Sequence, residues 1–182
     1  MGLFDWLRKR GSKDSSQYGM DEWARRLGLA PAEFSAVDIS YHAFTIPKRS
    51  GGTRQILAPA PALKTLQRRI LRRLIARLKS HPCVTGFERG HSIVTNALPH
   101  AGRAVVVRMD IRNSFGSTTE SRILAYFQRI GWASDAAKWL TRVCTYQNGL
   151  PQGAPTSPRL ANLVNYQLDA YLEAAGVALG AS

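Results

Sequence analysis

The sequence is poor in negative charge: 12 Asp and Glu stand against 25 Lys and Arg in 182 residues, a formal charge of +13. An excess of this size disfavours acidic or neutral small substrates as the main partner and favours a polyanion, nucleic acid first, over charge kept only for solubility. Cysteine is also scarce. Cys83 and Cys144 lie far apart, with no C-x-x-C and no Cys/His cluster at metal-ligand spacing, so both read as reduced core residues. His42, His81, His91 and His100 likewise show no ligand spacing and are expected in packing or RNA contact. No apolar run approaches the roughly 20 residues of a membrane span, and the N-terminus lacks a signal-peptide pattern. A cytoplasmic protein with no membrane partner is therefore expected. Internal repeats and low-complexity tracts are missing too.

What is present reads as strands mixed with longer helices, an α+β pattern. MGLFDWLRKR has the composition of an amphipathic surface helix, and a polar linker over 11–19 joins it to a helix over Asp21–Leu29 that ends near Gly28. Tyr41–Pro47 and Thr53–Ala58 read as a β-hairpin turning at Ser50-Gly51-Gly52, with Lys48, Arg49 and Arg54 at its tip. Leu63, Leu66, Ile70, Leu74 and Leu78 then recur at helical spacing. Arg68, Arg69, Arg72, Arg73 and Lys79 form a basic stripe on the other side, with no acid to pair with, which suits phosphate contact better than a merely solvated face. Residues 83–101 read as irregular or short helical structure.

Ala104–Ile111 is valine-rich and predicts a buried central strand with Asp110 at its end. Ser117-Thr-Thr-Glu120 has the spacing of a capping box and predicts a helix to about Ile130. Further helices are expected from Ser134 to about Tyr146, with Trp139, Leu140 and Val143 inward, and from Ser157, as N-cap before Pro158, to about Gly176. A carboxylate at a strand exit in a polyanion-binding protein repels its partner unless a cation such as Mg²⁺ intervenes. The competing reading pairs Asp110 with Arg108 or Arg112.

Four blocks in order decide between these readings: IPKRSGGTRQI at 46–56, GFERGHSIVTNALPH at 86–100, VRMDIRNSF at 107–115 and GLPQGAPTSPRLAN at 149–162. With them the chain resembles a bacterial reverse transcriptase, most nearly the retron group, whose Asn-Ala-x-x-His signature fits Asn96 to His100. The resemblance implies the fingers and an incomplete palm of a right-hand polymerase: an N-terminal helical extension and linker over 1–40, a fingers-like region over 41–103, and a partial palm over 104–182. It implies Asp110 as the first catalytic, metal-binding aspartate and the Ile111 carbonyl as a second ligand for the Mg²⁺ pair. Phe115 matches the aromatic beneath the incoming sugar, whose ring would clash with a 2′-hydroxyl. Lys48 and Arg54 match the groups that grip a triphosphate. Asn113 and Ser114 offer backbone amides to it, and Gln152 and Gly153 match the loop beside the templating pair. The implied partners are an RNA template, the RNA–DNA hybrid and dNTP, and the implied setting is anti-phage defence.

Ser114 and Gly116 depart from the aromatic and proline that the family commonly places there. The family's Tyr-x-Asp-Asp hairpin, which supplies the other carboxylates, and the thumb are expected after the position where these 182 residues end. Asp169 and Glu173 are expected to face solvent or arginines and not to replace them. Two readings stay open: a polymerase fragment or split subunit, inactive alone and completed by a second chain, or a non-catalytic RNA-binding remnant or subunit.

Overall fold

The computed structural model describes residues 18–30, 33, 37–48 and 51–180. The expected helix over 1–10 and most of the linker lie outside the described residues, as does Arg49. Helix α1 (Met20–Leu27) buries Trp23 and Leu27 and stops at Gly28, whose φ of 63° is the left-handed conformation of a helix C-terminus. Acidic residues sit in its first turn and arginines in its last, in line with the helix dipole.

Strands β1 (Tyr41–Pro47) and β2 (Thr53–Pro59) form the expected antiparallel hairpin, with Ile46 opposite Arg54. This is the single named sheet among the described residues. Helix α2 (Pro61–Ile70) follows and runs into a π-turn at Leu71–Ile75, where the Ala76 N–H donates to the Leu71 carbonyl. The wider turn inserts one residue into the helical repeat. The core face therefore passes from Ile70 to Ile75, whereas the sequence period placed Leu74 and Leu78 there; both are only partly buried.

The valine-rich segment over 104–111 corrects a second expectation. It forms no named strand, and Val105 and Met109 are 78% and 80% exposed. A buried strand needs neighbours on its edges and faces, and no described segment pairs with this one. After a single turn, α4 (Ser114–Ser117), helix α5 (Glu120–Arg129) starts from Thr119 without a side-chain cap, so the Ser117/Glu120 capping box does not form. The capping box lies elsewhere, at Ser92 and Thr95, and starts the short helix α3 (Ile93–Ala97).

Helix α6 (Ser134–Cys144) matches expectation. The last helix is two: α7 (Ser157–Val164), in which Ser157 is the first helical residue and not the expected N-cap, Thr156 holding that position without a side-chain cap, and α8 (Tyr166–Ala178). They break at Asn165, whose Nδ2 donates to the Ala161 carbonyl at 2.9 Å and whose Oδ1 accepts from Arg122 at 2.8 Å. An Asn side chain competing for backbone partners is a common reason for such a break.

The core gathers Trp23 and Leu27 from α1, Leu63, Leu66 and Ile70 from α2, Ile123 and Phe127 from α5, and Leu140 and Val143 from α6. Leu160 and Leu163 of α7 complete it. Each such side chain contributes roughly 1.5–3 kcal/mol on full burial. Cys144 belongs to this core, as expected, but Cys83 is exposed.

One polar network crosses it. Arg159 of α7, 9% exposed, donates from Nε to the Ile75 carbonyl at 3.4 Å, from Nη2 to the Leu78 carbonyl and from Nη1 to Glu88. Glu88 also accepts from Ser80 at 2.6 Å and from Asn162 at 3.0 Å. Burial by itself pushes the Glu88 carboxyl up, but the Ser80 and Asn162 hydrogen bonds and the Arg159 charge outweigh it and leave it below its ordinary value of 4.5.

Glu88→Ala should therefore destabilise the chain toward the lower end of the ~3–5 kcal/mol typical of breaking a buried pair, as read by urea unfolding. Because the folded carboxyl titrates below the unfolded one, its contribution is complete above about 4.5 and is lost as pH falls through the folded value. Unfolding followed against pH should show this acid sensitivity in the parent and not in Glu88→Ala.

Candidate nucleotide site and nucleic-acid interface

The loop before α7 begins with a tight turn. Gln147 and Asn148 both adopt positive φ, 49° and 65°, while Tyr146 and Gly149 exchange backbone hydrogen bonds of 2.9 and 3.2 Å. This is the geometry of a two-residue turn with both central residues left-handed. A Cβ on Gly149 would lie 2.8 Å from the Gly116 carbonyl oxygen, so two glycine backbones meet here. The Leu150 N–H donates to the Phe115 carbonyl at 3.1 Å, and the Glu120 N–H donates to the Asn148 carbonyl at 3.2 Å. The segment bearing Phe115 is thus sewn to the loop bearing Gln152. Phe115 is half-buried against the core, while Asn113 and Ser114 beside it are exposed, Asn113 with a left-handed φ of 51°.

The hairpin docks on the same loop. The Leu57 N–H of β2 donates to the Gln152 carbonyl at 2.8 Å. Gly153, at φ 131°, lies so close that an added Cβ would stand 2.7 Å from the Leu57 carbonyl oxygen. From Pro151 the loop is tied to α7 by the Ser157 hydroxyl, which donates to the Pro151 carbonyl at 2.7 Å. Lys48 and Arg54 are exposed near the turn end of the hairpin, Arg54 about 10 Å along the strand from Leu57. The Lys48 N–H donates to the Gly52 carbonyl at 3.0 Å, and Gly51 and Gly52 both have positive φ, which a side chain would resist.

Asp110 and Ile111 are exposed, and Asp110 makes no hydrogen bond or ion pair with Arg108, Arg112 or any other described residue. Nor does it stand in a group of potential metal ligands among the described residues. The residues present therefore do not by themselves fit a pair of Mg²⁺ ions, which needs several anionic ligands.

The basic stripe divides in two. Arg73 Nη1 donates to the Leu27 carbonyl at 2.9 Å, and Arg69 Nη1 reaches the Gly28 carbonyl at 3.4 Å, so these two cap the end of α1. Arg68, Arg72 and Lys79 are exposed, with no such tie among the described residues. Arg72 lines a cavity of about 690 Å³ with Arg77, Arg89 and Phe87, and the Phe87 ring is 72% exposed. An exposed aromatic among arginines is a combination suited to stacking a base and holding its phosphate. Asn96 accepts from Thr85 at 2.5 Å and, with the exposed His100, lines a separate cavity beside α8.

Over residues 46–179 the sequence matches the family model described as reverse transcriptase (RNA-dependent DNA polymerase). The chain belongs to the reverse transcriptase family. Its similarity is to the retron group: it is 38% identical to the Retron Ec86 reverse transcriptase of Escherichia coli over 72% of this chain and 42% of that protein. It is 34% identical to the Retron Mx65 and Mx162 reverse transcriptases of Myxococcus xanthus, over 85% and 86% of this chain and 44% and 38% of theirs. The chain thus spans less than half the length of these curated relatives. No helix among the described residues is long and apolar enough to cross a membrane.

Within this reverse transcriptase sequence the structure brings Phe115, Gln152, Gly153 and the base of the hairpin into one hydrogen-bonded frame. It does not bring Asp110 to a second carboxylate, and it leaves Asn96 and His100 apart from that frame. Sequence reasoning gave no role to Arg159 and Glu88 or to Phe87, although each lies inside one of the quoted blocks. An arginine flanked by Pro158 and Leu160, in a run of small and apolar residues, was the available sign that one charge there is buried and paired.

Gly153→Ala should push β2 off the loop, because the backbone carbonyl it would meet cannot swing aside as a side chain can. The expected loss is about 1–3 kcal/mol in urea unfolding. Hydrogen exchange should report a larger opening at the Leu57 amide than elsewhere in the chain.

Proposed function

We propose that the chain forms the fingers and part of the palm of a retron-like RNA-directed DNA polymerase. It copies an RNA template into DNA from dNTPs and acts in anti-phage defence. The observation that carries this reading is the frame joining β2, Gln152 and Phe115 through the Leu57-to-Gln152 and Leu150-to-Phe115 hydrogen bonds. It supports a nucleotide pocket in which Phe115 lies under the sugar and Gln152 and Gly153 lie beside the base pair. Lys48 and Arg54 then reach over the triphosphate from the hairpin, and the amides of Asn113 and Ser114 meet it from below. Asp110 and the Ile111 carbonyl contribute ligands to the Mg²⁺ pair together with carboxylates from outside these 182 residues, in further sequence or in a second chain. Arg68, Arg72 and Lys79 hold the template or hybrid backbone.

A second reading, a non-catalytic RNA-binding subunit, is favoured by a different observation: the Asp110 carboxylate has no second carboxylate grouped with it among the described residues. The two readings part in a primer-extension assay on an RNA template with dNTPs and Mg²⁺, using this chain together with the sequence that supplies the remaining carboxylates. The polymerase reading expects extension that Asp110→Ala abolishes. It also expects Phe115→Val to raise ribonucleotide incorporation by roughly 10–100-fold relative to deoxynucleotides. Extension that survives Asp110→Ala removes that residue from the reaction, and no extension in any combination favours the binding subunit.

Both readings expect salt-sensitive RNA binding by the chain itself. Replacing Arg68 and Arg72 with glutamate should lower the affinity and flatten the slope of log K against log salt by about 1 to 2. Asp110→Ala should leave that slope in place.

A further inference from the structure

A cluster far from the nucleotide frame in sequence carries chemistry that the polymerase reading does not use. His81, Cys83 and Glu173 each offer a ligand atom, and these atoms all lie within 4.8 Å of one another. The His81 Nδ1 to Cys83 Sγ distance is 3.1 Å, and His81 Nε2 lies 3.9 Å from a Glu173 carboxylate oxygen. This arrangement corrects one expectation from the sequence, that the cysteine and histidines stand apart from any ligand set, while Glu173 stays exposed to solvent as expected.

The local structure explains why these residues meet. His81-Pro82-Cys83 forms a turn closed by the Val84 N–H donating to the His81 carbonyl at 3.0 Å, and Pro82 fixes the backbone between the two side chains. On α8, Asp169 and Glu173 are one turn apart and so share a face. That face is turned to the His81–Cys83 loop: Cys83 Sγ lies 3.9 Å from the Asp169 carbonyl, and the His81 ring meets the Tyr166 ring edge-on at 4.9 Å between centroids. Cys83, Asp169 and Glu173 line one cavity of about 620 Å³.

We propose that His81, Cys83 and Glu173 form a zinc site, with Asp169 or water in the fourth position. One nitrogen, one sulfur and carboxylate oxygen make the donor set of a borderline ion, whereas Mg²⁺ takes oxygen. Zinc holds such atoms at ~2.0–2.3 Å, which sets tetrahedral neighbours about 3.3–3.8 Å apart. The cluster needs to close by about 1 Å at its longest separation, a movement open to the exposed Glu173 side chain. Binding converts the Cys83 thiol to thiolate and releases its proton to solvent.

The site also answers a packing need. Helix α8 has no buried side chain. A metal bridging residues 81 and 173 fastens it to the loop that follows α2, as a structural zinc does elsewhere. This inference does not rest on the polymerase reading.

The test is metal uptake by the 182-residue chain. Titration with Zn²⁺ against a colorimetric chelator should show one equivalent bound. Cys83→Ser and His81→Ala should each abolish stoichiometric uptake, and Glu173→Gln should weaken it. With Co²⁺ as the probe, a sulfur-to-cobalt charge-transfer band should appear in the parent and vanish in Cys83→Ser. Cys144 remains in that variant but is buried, its thiol pushed up to about 12, and it should give no band. Zn²⁺ should raise the melting temperature of the parent and leave that of Cys83→Ser unmoved. Absence of uptake by the parent, or uptake and a cobalt band that persist in Cys83→Ser, would overturn the proposal.

Discussion

A guanidinium cannot sit at the edge of an apolar core without partners, and Arg159 finds them where three parts of the chain must meet. Its Nε and Nη2 donate to the Ile75 and Leu78 carbonyls at the end of the α2 and π-turn run, and its Nη1 faces Glu88 in the irregular segment beyond. Ser80 and Asn162 saturate the same carboxylate, and Asn162 also donates to the Gly86 carbonyl at 2.7 Å. The helix that carries Arg159 begins where the 149–156 loop ends. Fixing that helix fixes the loop, and with it both the hairpin and the segment bearing Phe115.

From this anchor the molecule divides by how its backbone is satisfied. Around Phe115, Gln152 and Gly153, loop and strand groups donate to one another, and two close glycine contacts leave no room for a side chain. That region is held before any ligand arrives. By contrast, the 104–111 segment and the 91–100 turn are exposed throughout. The valine-rich run exposes apolar side chains in a segment with no ladder partner among the described residues. The preorganised half of the candidate site and the open half thus coincide with what the described residues can and cannot cover.

The legible features were those written in local chemistry. The hairpin ends, the stop of α1 at Gly28 and the start of α6 at Ser134 follow from turn glycines, helical period and capping residues, and the structure places them as read. The basic stripe was legible as composition but not as use. Which arginine meets solvent and which caps α1 depends on where α1 packs, so Arg69 and Arg73 look like Arg68 and Arg72 until the two helices are placed side by side. The π-turn had no sequence signature, and one inserted residue was enough to replace Leu74 by Ile75 in the core.

By itself the sequence determined the family, the local elements and the residues able to bind phosphate, because these rest on residue type and short spacing. Tertiary structure alone decided that Leu57, Gln152 and Phe115 share a frame, that Arg159 needs Glu88, and that His81 and Cys83 face Glu173. Those contacts join residues tens of positions apart. No periodicity encodes them; they follow from burying apolar faces together while the polar groups between them, such as Arg159, are paired.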